Sequence, residues 1–447
     1  MTFTHDSAGT PASEWSMALA QRDIERLSLD DGRVDTVVVV AAHPDDESLG
    51  AGGLMVAAHD RGLAVRLLVA TAGEGSHPAS RTMPPARLAD LRRRELDAAT
   101  SVLAPGTDPV LLGIADGEVD QHEPVLTERL VSMLGDARRT LVVAPWRHDG
   151  HPDHEAAGRA AAAAAARTGA RLLEYPIWFW HWAEPGAAPW QRMRVLELDH
   201  EAVARKGRAI SAHRSQTRSL SDLAGDEVLL GPRLLAHFGG ESETYVEDGP
   251  DDPTLDLLHQ EDADPWGVDT RWYEARKRAL LLALLPRTSF RRGLEIGCST
   301  GALSADLAGR CDRLVAIDAS PRAVALAHDR LAQLEHVSVG QVSVPGAWPQ
   351  DCGAGQVDLV VVSEVGYFLS PAALDALLDR IRVCLADDGV VVVCHWRHEV
   401  AGWVLDGPRV HALFTASLIR PVVAEYRDRD VEMLVLTGPE LLPDPHE

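Results

Sequence analysis

The first 297 residues contain no cysteine. Any metal held there must rest on histidine and carboxylate. The chain's five cysteines, Cys298, Cys311, Cys352, Cys384 and Cys394, are odd in number and include no CxxC pair. That pattern excludes a disulfide framework and reads as free thiols in a reducing compartment. Basic residues are also scarce, with 43 Lys and Arg against 67 Asp and Glu and a net charge of −24. This balance argues against nucleic acid or an anionic membrane as partner, and it serves solubility equally well. No apolar run reaches the roughly 18 residues of a membrane span. The stretch Met1–Glu14 lacks the basic patch and apolar core of a signal peptide. These absences point to a cytoplasmic protein. No repeat relates the two halves of the chain.

What is present begins with length: 447 residues are too many for one ordinary domain. After a short helix or arm at residues 15–30, strand-like runs (35–41, 65–70, 110–112, 141–144) alternate with helical patterns (54–60, 85–102, 124–134). This alternation predicts a parallel sheet covered by helices. The near-continuous alanine run 156–166 predicts a helix packed closely on that sheet. In such sheets the chemistry gathers at the carboxyl ends of strands. Two clusters sit there: His43-Pro44-Asp45-Asp46-Glu47 and His151-Pro152-Asp153-His154.

A hydrolytic zinc centre needs three protein ligands and one open position. His43 and Asp46 reach one point from a strand-end loop, and His154 supplies a third ligand. Iron or another divalent ion fits the same donors. Asp45 points away from Asp46 and is left as a base. His151 is placed as oxyanion donor or as acid for the leaving group, with Asp153 holding it charged. Glu47 suits a supporting role behind a ligand. The aromatic run 175–182 reads either as core or as a wall against a sugar ring.

Residues 246–265 carry eight acids and three prolines, a linker composition. A second alternating series follows. Its strand 293–296 enters the loop Gly297-Cys298-Ser299-Thr300-Gly301, and Asp318 closes the next strand. The loop lacks the middle glycine of a dinucleotide site, and Glu295 would repel phosphate. An acid there suits a ligand bearing an ammonium group, and S-adenosyl-L-methionine has one. Asp318 lies where a carboxylate meets ribose hydroxyls. Glu364, Tyr367 and His395 end later strands and face the same point. Trp272 and Tyr273 read either as cofactor cover or as core.

The first half, over roughly residues 35–220, resembles the PIG-L (LmbE-like) zinc-dependent deacetylases. The resemblance implies His43, Asp46 and His154 as ligands, Asp45 as base and His151 as oxyanion partner. It implies Glu74, Arg94 and Asp116 along the substrate. Asp149 stands where some relatives carry a tyrosine. The second half, about residues 262–420, resembles class I methyltransferases, nearest to the nodulation-factor N-methyltransferases. That resemblance implies cofactor contacts from Glu295, Gly297, Cys298, Gly301, Asp318 and Ala319. Glu364, Tyr367 and His395, at strand ends facing that point, are expected near the substrate, as positioning or structural residues or as the base that accepts the proton. The expected architecture is α/β: two Rossmann-like domains, each a mostly parallel sheet flanked by helices. The expected spans are 1–245 and 263–447, joined by an acidic linker at 246–262.

The joint expectation is a bifunctional enzyme using Zn2+ and S-adenosyl-L-methionine. It would deacetylate an acetamido sugar or sugar conjugate and methylate the freed amine. O-methylation, two independent reactions, and a second domain that only senses cofactor stay open. So do the oligomeric state, homo-oligomer included, and the identity of the sugar.

Overall fold

The computed structural model describes residues 9–30, 32–135, 137–247, 254–400 and 403–442. The chain divides into two compact units, Met1–Asp251 and Asp252–Glu447.

The first unit is an eight-stranded sheet. Its strands are β1 (Glu25–Arg26), β2 (Thr36–Ala41), β3 (Ala64–Thr71), β4 (Val110–Ile114), β5 (Thr140–Pro145), β6 (Arg171–Tyr175), β7 (Met193–Glu197) and β8 (Ser242–Val246). The order is β1-β7-β8-β6-β5-β2-β3-β4, with β8 antiparallel to both its neighbours. Val37 to Val40 are fully buried; Val37 and Val39 face one core, Val38 and Val40 the other. Burial on both faces is why β2 reads as an unbroken apolar run. The alanine-rich helix Pro152–Thr168 lies close on the sheet, and a Cβ at Gly158 would meet the Pro145 carbonyl oxygen at 2.5 Å. Small side chains permit that approach. The order reverses between β2 and β5, and a crevice forms at such a switch point. The loops after these two strands carry the two His/Asp clusters.

The second unit has seven strands: β9 (Gly293–Ile296), β10 (Leu314–Asp318), β11 (Val337–Gln341), β12 (Val357–Ser363), β13 (Leu385–Trp396), β14 (Val422–Arg427) and β15 (Val431–Leu436). The order is β11-β10-β9-β12-β13-β15-β14. β15 runs antiparallel to both its neighbours, β13 and β14. The switch point falls between β9 and β12, beside the Gly297–Gly301 loop. Both sheets are thus mostly parallel and flanked by helices.

Part of the stretch expected to be linker is ordered. Thr254–Glu261 is a helix, and Asp256 accepts a hydrogen bond from Ser320 Oγ at 2.6 Å. Leucines at 255, 257 and 258 are good helix formers, and His259 is the buried side chain of this segment. Residues 248–253 of the same stretch lie outside the described residues. No helix among the described residues is long and apolar enough to cross a membrane.

Candidate active sites

In the first unit, β2 delivers His43 and the short helix Asp46–Gly50 begins at once. Asp46 ties this corner together. Its Oδ2 accepts the N–H groups of Ala42 and His43 at 2.9 and 2.8 Å, and its Oδ1 lies 3.2 Å from His154 Nε2. His43 Nδ1 is 3.6 Å from Asp46 Oδ2. Donor atoms of His43, Asp46 and His154 lie within 4.8 Å of one another and all three residues are buried, so this set fits a metal ion. His43, His151 and Asp153 form an overlapping set of the same span.

Asp45 has φ +140°, a backbone region L-residues rarely adopt. Glu47 holds it there by accepting the Asp45 N–H at 3.0 Å. The other oxygen of Glu47 is met by Ser48 Oγ at 2.6 Å and His213 Nε2 at 3.0 Å. Arg92 donates to Asp45 Oδ1, the Pro44 carbonyl and the Gly73 carbonyl at 3.0, 2.7 and 2.9 Å. Burial pushes the Asp45 carboxyl up to about 6 against the pull of Arg92. A buried, clamped carboxyl near neutrality suits a proton acceptor.

Asp149 is fully buried. It accepts from His154 Nδ1 at 2.7 Å and from the backbone N–H groups of Ile177, Trp178 and Phe179 at 2.7, 3.0 and 3.0 Å. One carboxylate thereby fixes the His154 ring and caps the short helix Phe179–Trp182. Asp116 Oδ1 lies 3.2 Å from His43 Nε2, and Glu74 Oε1 accepts the Asp116 N–H at 3.0 Å. Glu74 Oε2 and His151 Nδ1 are buried without a hydrogen-bond partner and remain for a ligand.

In the second unit, Gly297 and Gly301 have φ +79° and +77°. A Cβ at Gly297 would come within 2.9 Å of Val365 Cβ, so the loop must be glycine there. Glu295 is buried behind the loop, accepts from Ser304 Oγ at 2.6 Å, and is pushed by burial up to about 8. Asp318 accepts the N–H groups of Ser299 and Ser320, both at 2.9 Å. Ser299 Oγ, Thr300 Oγ1, His259 Nδ1 and Tyr273 OH are buried without partners. A loop with glycine turns, a buried acid and orphaned hydroxyls fits a polar cofactor.

Glu364 follows β12 with φ +57°. Lys277 Nζ reaches its Oε1 at 2.6 Å, the Trp396 N–H reaches Oε2 at 3.0 Å, and Tyr367 OH donates to Oε2 as well.

The family described as GlcNAc-PI de-N-acetylase (PIG-L) matches residues 38–165, and the family described as Nodulation protein S (NodS) matches residues 250–421. A Bacillus anthracis protein named "Probable N-acetyl-alpha-D-glucosaminyl L-malate deacetylase 2" is 30% identical over 190 residues, covering 40% of this chain and 80% of that protein. Nodulation protein S of Bradyrhizobium diazoefficiens is 30% identical over 174 residues, covering 37% of this chain and 81% of that protein. The chain belongs to the PIG-L family in its first half and to the NodS family in its second. The Sinorhizobium fredii Nodulation protein S is 34% identical over 140 residues, and the chain spans 63% of that protein's length. The crystal structure of N-methyltransferase NodS from Bradyrhizobium japonicum with S-adenosyl-L-homocysteine is 27% identical, covers 42% of this chain and 100% of that chain, and has a TM-score of 0.37.

Within the PIG-L unit the structure gathers His43, Asp45, Asp46, Glu74, Asp116, His151, Asp153 and His154 around one point. Arg94 is not among them. It is exposed, because the buried face of the helix Pro85–Leu103 carries Leu88, Arg92, Glu95 and Leu96. Arg92 is the residue the sequence reading missed, and its spacing to Leu88 and Leu96 is the signal that marks it. Asp153 does not hold His151 charged. Its carboxylate meets His43 Nε2 at 3.1 Å and the N–H groups of Gly117 and Val119, and burial pushes His151 down to about 3.

Within the NodS unit, the Cys298 side chain packs inward against Ala316, Ala327 and Leu331, so its thiol is core. Ala319 is exposed beside Asp318. His395 is fully buried and lies behind the site: its Nε2 accepts the Gly366 N–H at 2.9 Å and its Nδ1 lies 3.2 Å from His411 Nε2. Burial pushes both rings down to about 3. His395 thus accepts through Nε2 and donates through Nδ1 to His411 Nε2, and it positions the loop that carries Glu364 and Tyr367. Trp272 is 78% exposed and is not core, whereas Tyr273 is half-buried.

Proposed function

We propose that this chain removes the acetyl group from an N-acetylated amino sugar or sugar conjugate and methylates the amine so exposed. The observation that carries this reading is the union of an amide-hydrolysing donor set with a cofactor loop in one chain. An amide nitrogen is a poor nucleophile because its lone pair is delocalised into the carbonyl. Deacetylation makes the group that methylation needs, so the two chemistries have a natural order.

In the first unit His43, Asp46 and His154 would hold Zn2+. Such an ion, when bound, supplies an acidified water and polarises a carbonyl oxygen. Asp45 takes a proton at its carboxylate, and its strained, clamped backbone keeps that carboxylate on station. His151, neutral and with its ring 4.6 Å from that of His154, donates its N–H to the developing oxyanion. Glu74 and Asp116 orient the sugar hydroxyls.

In the second unit Glu295, Gly297, Gly301, Asp318 and Ala319 would hold S-adenosyl-L-methionine, which supplies the methyl group. Ser299 and Thr300 add hydroxyls to that contact. Glu364 is saturated by Lys277, Tyr367 and the Trp396 N–H. It anchors the acceptor side, and orientation of amine against methyl supplies the rate. We place the domain boundary in the acidic stretch 246–262 and the protein in the cytoplasm. Two sites on one chain would also raise the effective concentration of the intermediate.

The test is mass spectrometry of the full chain with Zn2+, S-adenosyl-L-methionine and a panel of acetamido sugars and nucleotide-sugars. Loss of one acetyl followed by gain of one methyl is expected. Asp45→Ala should abolish both changes, and added free amine should restore the gain. A methyl gain without prior acetyl loss, or cofactor binding that alters deacetylation with no methylated product, would refute the ordered reading.

A further inference from the structure

We propose that the Tyr273 hydroxyl holds the acceptor amine in the methyl-transfer site, as a specificity-determining residue working with the charged group Glu274–Lys277–Glu364. The proposal deepens the methylation reading and rests on it.

The helix Trp272–Leu284 brings Tyr273, Glu274 and Lys277 against the loop that follows β12. Lys277 is buried. Its Nζ lies 2.6 Å from Glu364 Oε1 and 3.0 and 2.9 Å from the two oxygens of Glu274. Val365, next to Glu364, is the residue that a Cβ at Gly297 would strike at 2.9 Å. The Glu364 loop therefore abuts the cofactor loop. One lysine here faces two carboxylates, which leaves a surplus negative charge. Such a place favours an amine, which arrives in part as its ammonium form, over a neutral hydroxyl.

Hydrogen-bond capacity then singles out Tyr273. The N–H groups of Lys277, the Tyr367 hydroxyl and the Trp396 N–H are all committed to Glu274 or Glu364. The Tyr273 hydroxyl is the exception: it is buried without a partner, while its ring is half-buried and lies 5.4 Å from Lys277 Nζ. Burial, against the pull of Lys277, holds this phenol above its ordinary range, so it stays neutral. A neutral phenol oxygen accepts an N–H. An amine held through N–H keeps its lone pair free to face the methyl group that the cofactor supplies. A ligand without that N–H would leave the hydroxyl buried and unpaired, which is the costly outcome.

The test uses the full chain with S-adenosyl-L-methionine and D-glucosamine, which needs no deacetylation. We expect Tyr273→Phe, a change of one oxygen atom, to lower kcat/KM for methyl transfer about tenfold, mainly through KM. Affinity for S-adenosyl-L-homocysteine should stay within about twofold. Titration of the S-adenosyl-L-homocysteine complex with D-glucosamine reads the contact without turnover and should weaken about tenfold. The deacetylase centre is the same in both proteins and cancels in that comparison. Glu274→Gln, which balances Lys277 against Glu364 alone, should weaken the same titration about threefold or more. If one variant does not accumulate as folded protein, the other reads the same site. An unchanged KM and titration in folded Tyr273→Phe overturns the proposal and leaves the methylation reading intact. So does a Tyr273→Phe protein that loses S-adenosyl-L-homocysteine affinity while its amine titration holds, since the hydroxyl then serves the cofactor. Wild-type protein that methylates neither D-glucosamine nor any deacetylated member of the sugar panel overturns both.

Discussion

Replacing Glu295 by glutamine should make the second unit more stable and a poorer binder of its cofactor. Glu295 is buried behind the glycine loop with Ser304 Oγ as partner, and its carboxyl is pushed from 4.5 up to about 8. The folded protein therefore binds a proton here that the unfolded chain releases above about pH 4.5. The sign follows: stability conferred by this group is greatest in acid and falls as pH rises through the window from 4.5 to about 8. Each unit of that window costs about 1.4 kcal/mol, so at pH 7 the wild-type residue destabilises the fold by about 3 kcal/mol. Glutamine, neutral at every pH, removes that cost and keeps a polar end toward Ser304. For a unit of this size the gain corresponds to roughly 5–10 °C in melting temperature.

Binding shows the opposite trend. An ammonium group on the ligand favours ionised Glu295, so the proton must leave when the cofactor enters. Linkage then makes S-adenosyl-L-homocysteine bind about fiftyfold more weakly at pH 6 than at pH 8 in the wild type. Glu295→Gln should flatten that profile near the weak, low-pH level. Isothermal titration across pH 6–8, with differential scanning calorimetry of both proteins at pH 7, gives all the numbers. A wild-type affinity independent of pH over this range would refute the reasoning, since a carboxyl already ionised in the free protein has no proton to release.

Three further outcomes follow from the same geometry. Asp45→Asn should lower deacetylation by about 10²–10⁴ in kcat, because the carboxylate base is lost, while zinc content by elemental analysis stays at the wild-type level. Asp149→Ala removes the acceptor for His154 Nδ1 and for three backbone N–H groups, and zinc affinity by competition with a chelator should fall about 10–100-fold. Gly366→Ala would set a Cβ 2.6 Å from Val410 Cγ1 and 2.9 Å from His395 Nε2, and urea unfolding should show about 1–3 kcal/mol lost, together with weakened methyl transfer.

Local signals carried much of this architecture. Val37–Val40 is buried on both faces and therefore reads as a strand without any alternation. His43 and Asp46 are close in sequence and share one turn, so their convergence is visible in the spacing. The expected strands omit β1, β6, β7, β8, β11, β14 and β15; β7, β11 and β14 are half-exposed and lack the unbroken run that marks a buried parallel strand, whereas β15 is buried throughout. The helix Thr254–Glu261 is hidden by its acids, which dominate composition, while its anchors, buried His259 and the Asp256 contact with Ser320, join it to a segment distant in sequence.

Residues that act through another residue were the hardest to read, and the reason is physical. A ligand must reach the metal, so its neighbours in sequence betray it. A supporting group need only reach the ligand's far side, which is a property of packing between distant segments. Arg92 supports Asp45 from a helix 47 positions away, and His213 supports Glu47 from 166 positions away. His395 shows the converse error. Its place at the end of β13 suggests a site residue, yet the ring turns inward to accept the Gly366 N–H and meet His411. Strand-end position fixes where a backbone arrives but not which face its side chain takes, and the two faces differ by one residue of register. Asp149 joins both cases. It stands two residues before His151, where the sequence alone offers a loop acid, but the fold closes the β6 loop over it and turns it into the shared support of the His154 ring and of the turn Ile177–Phe179.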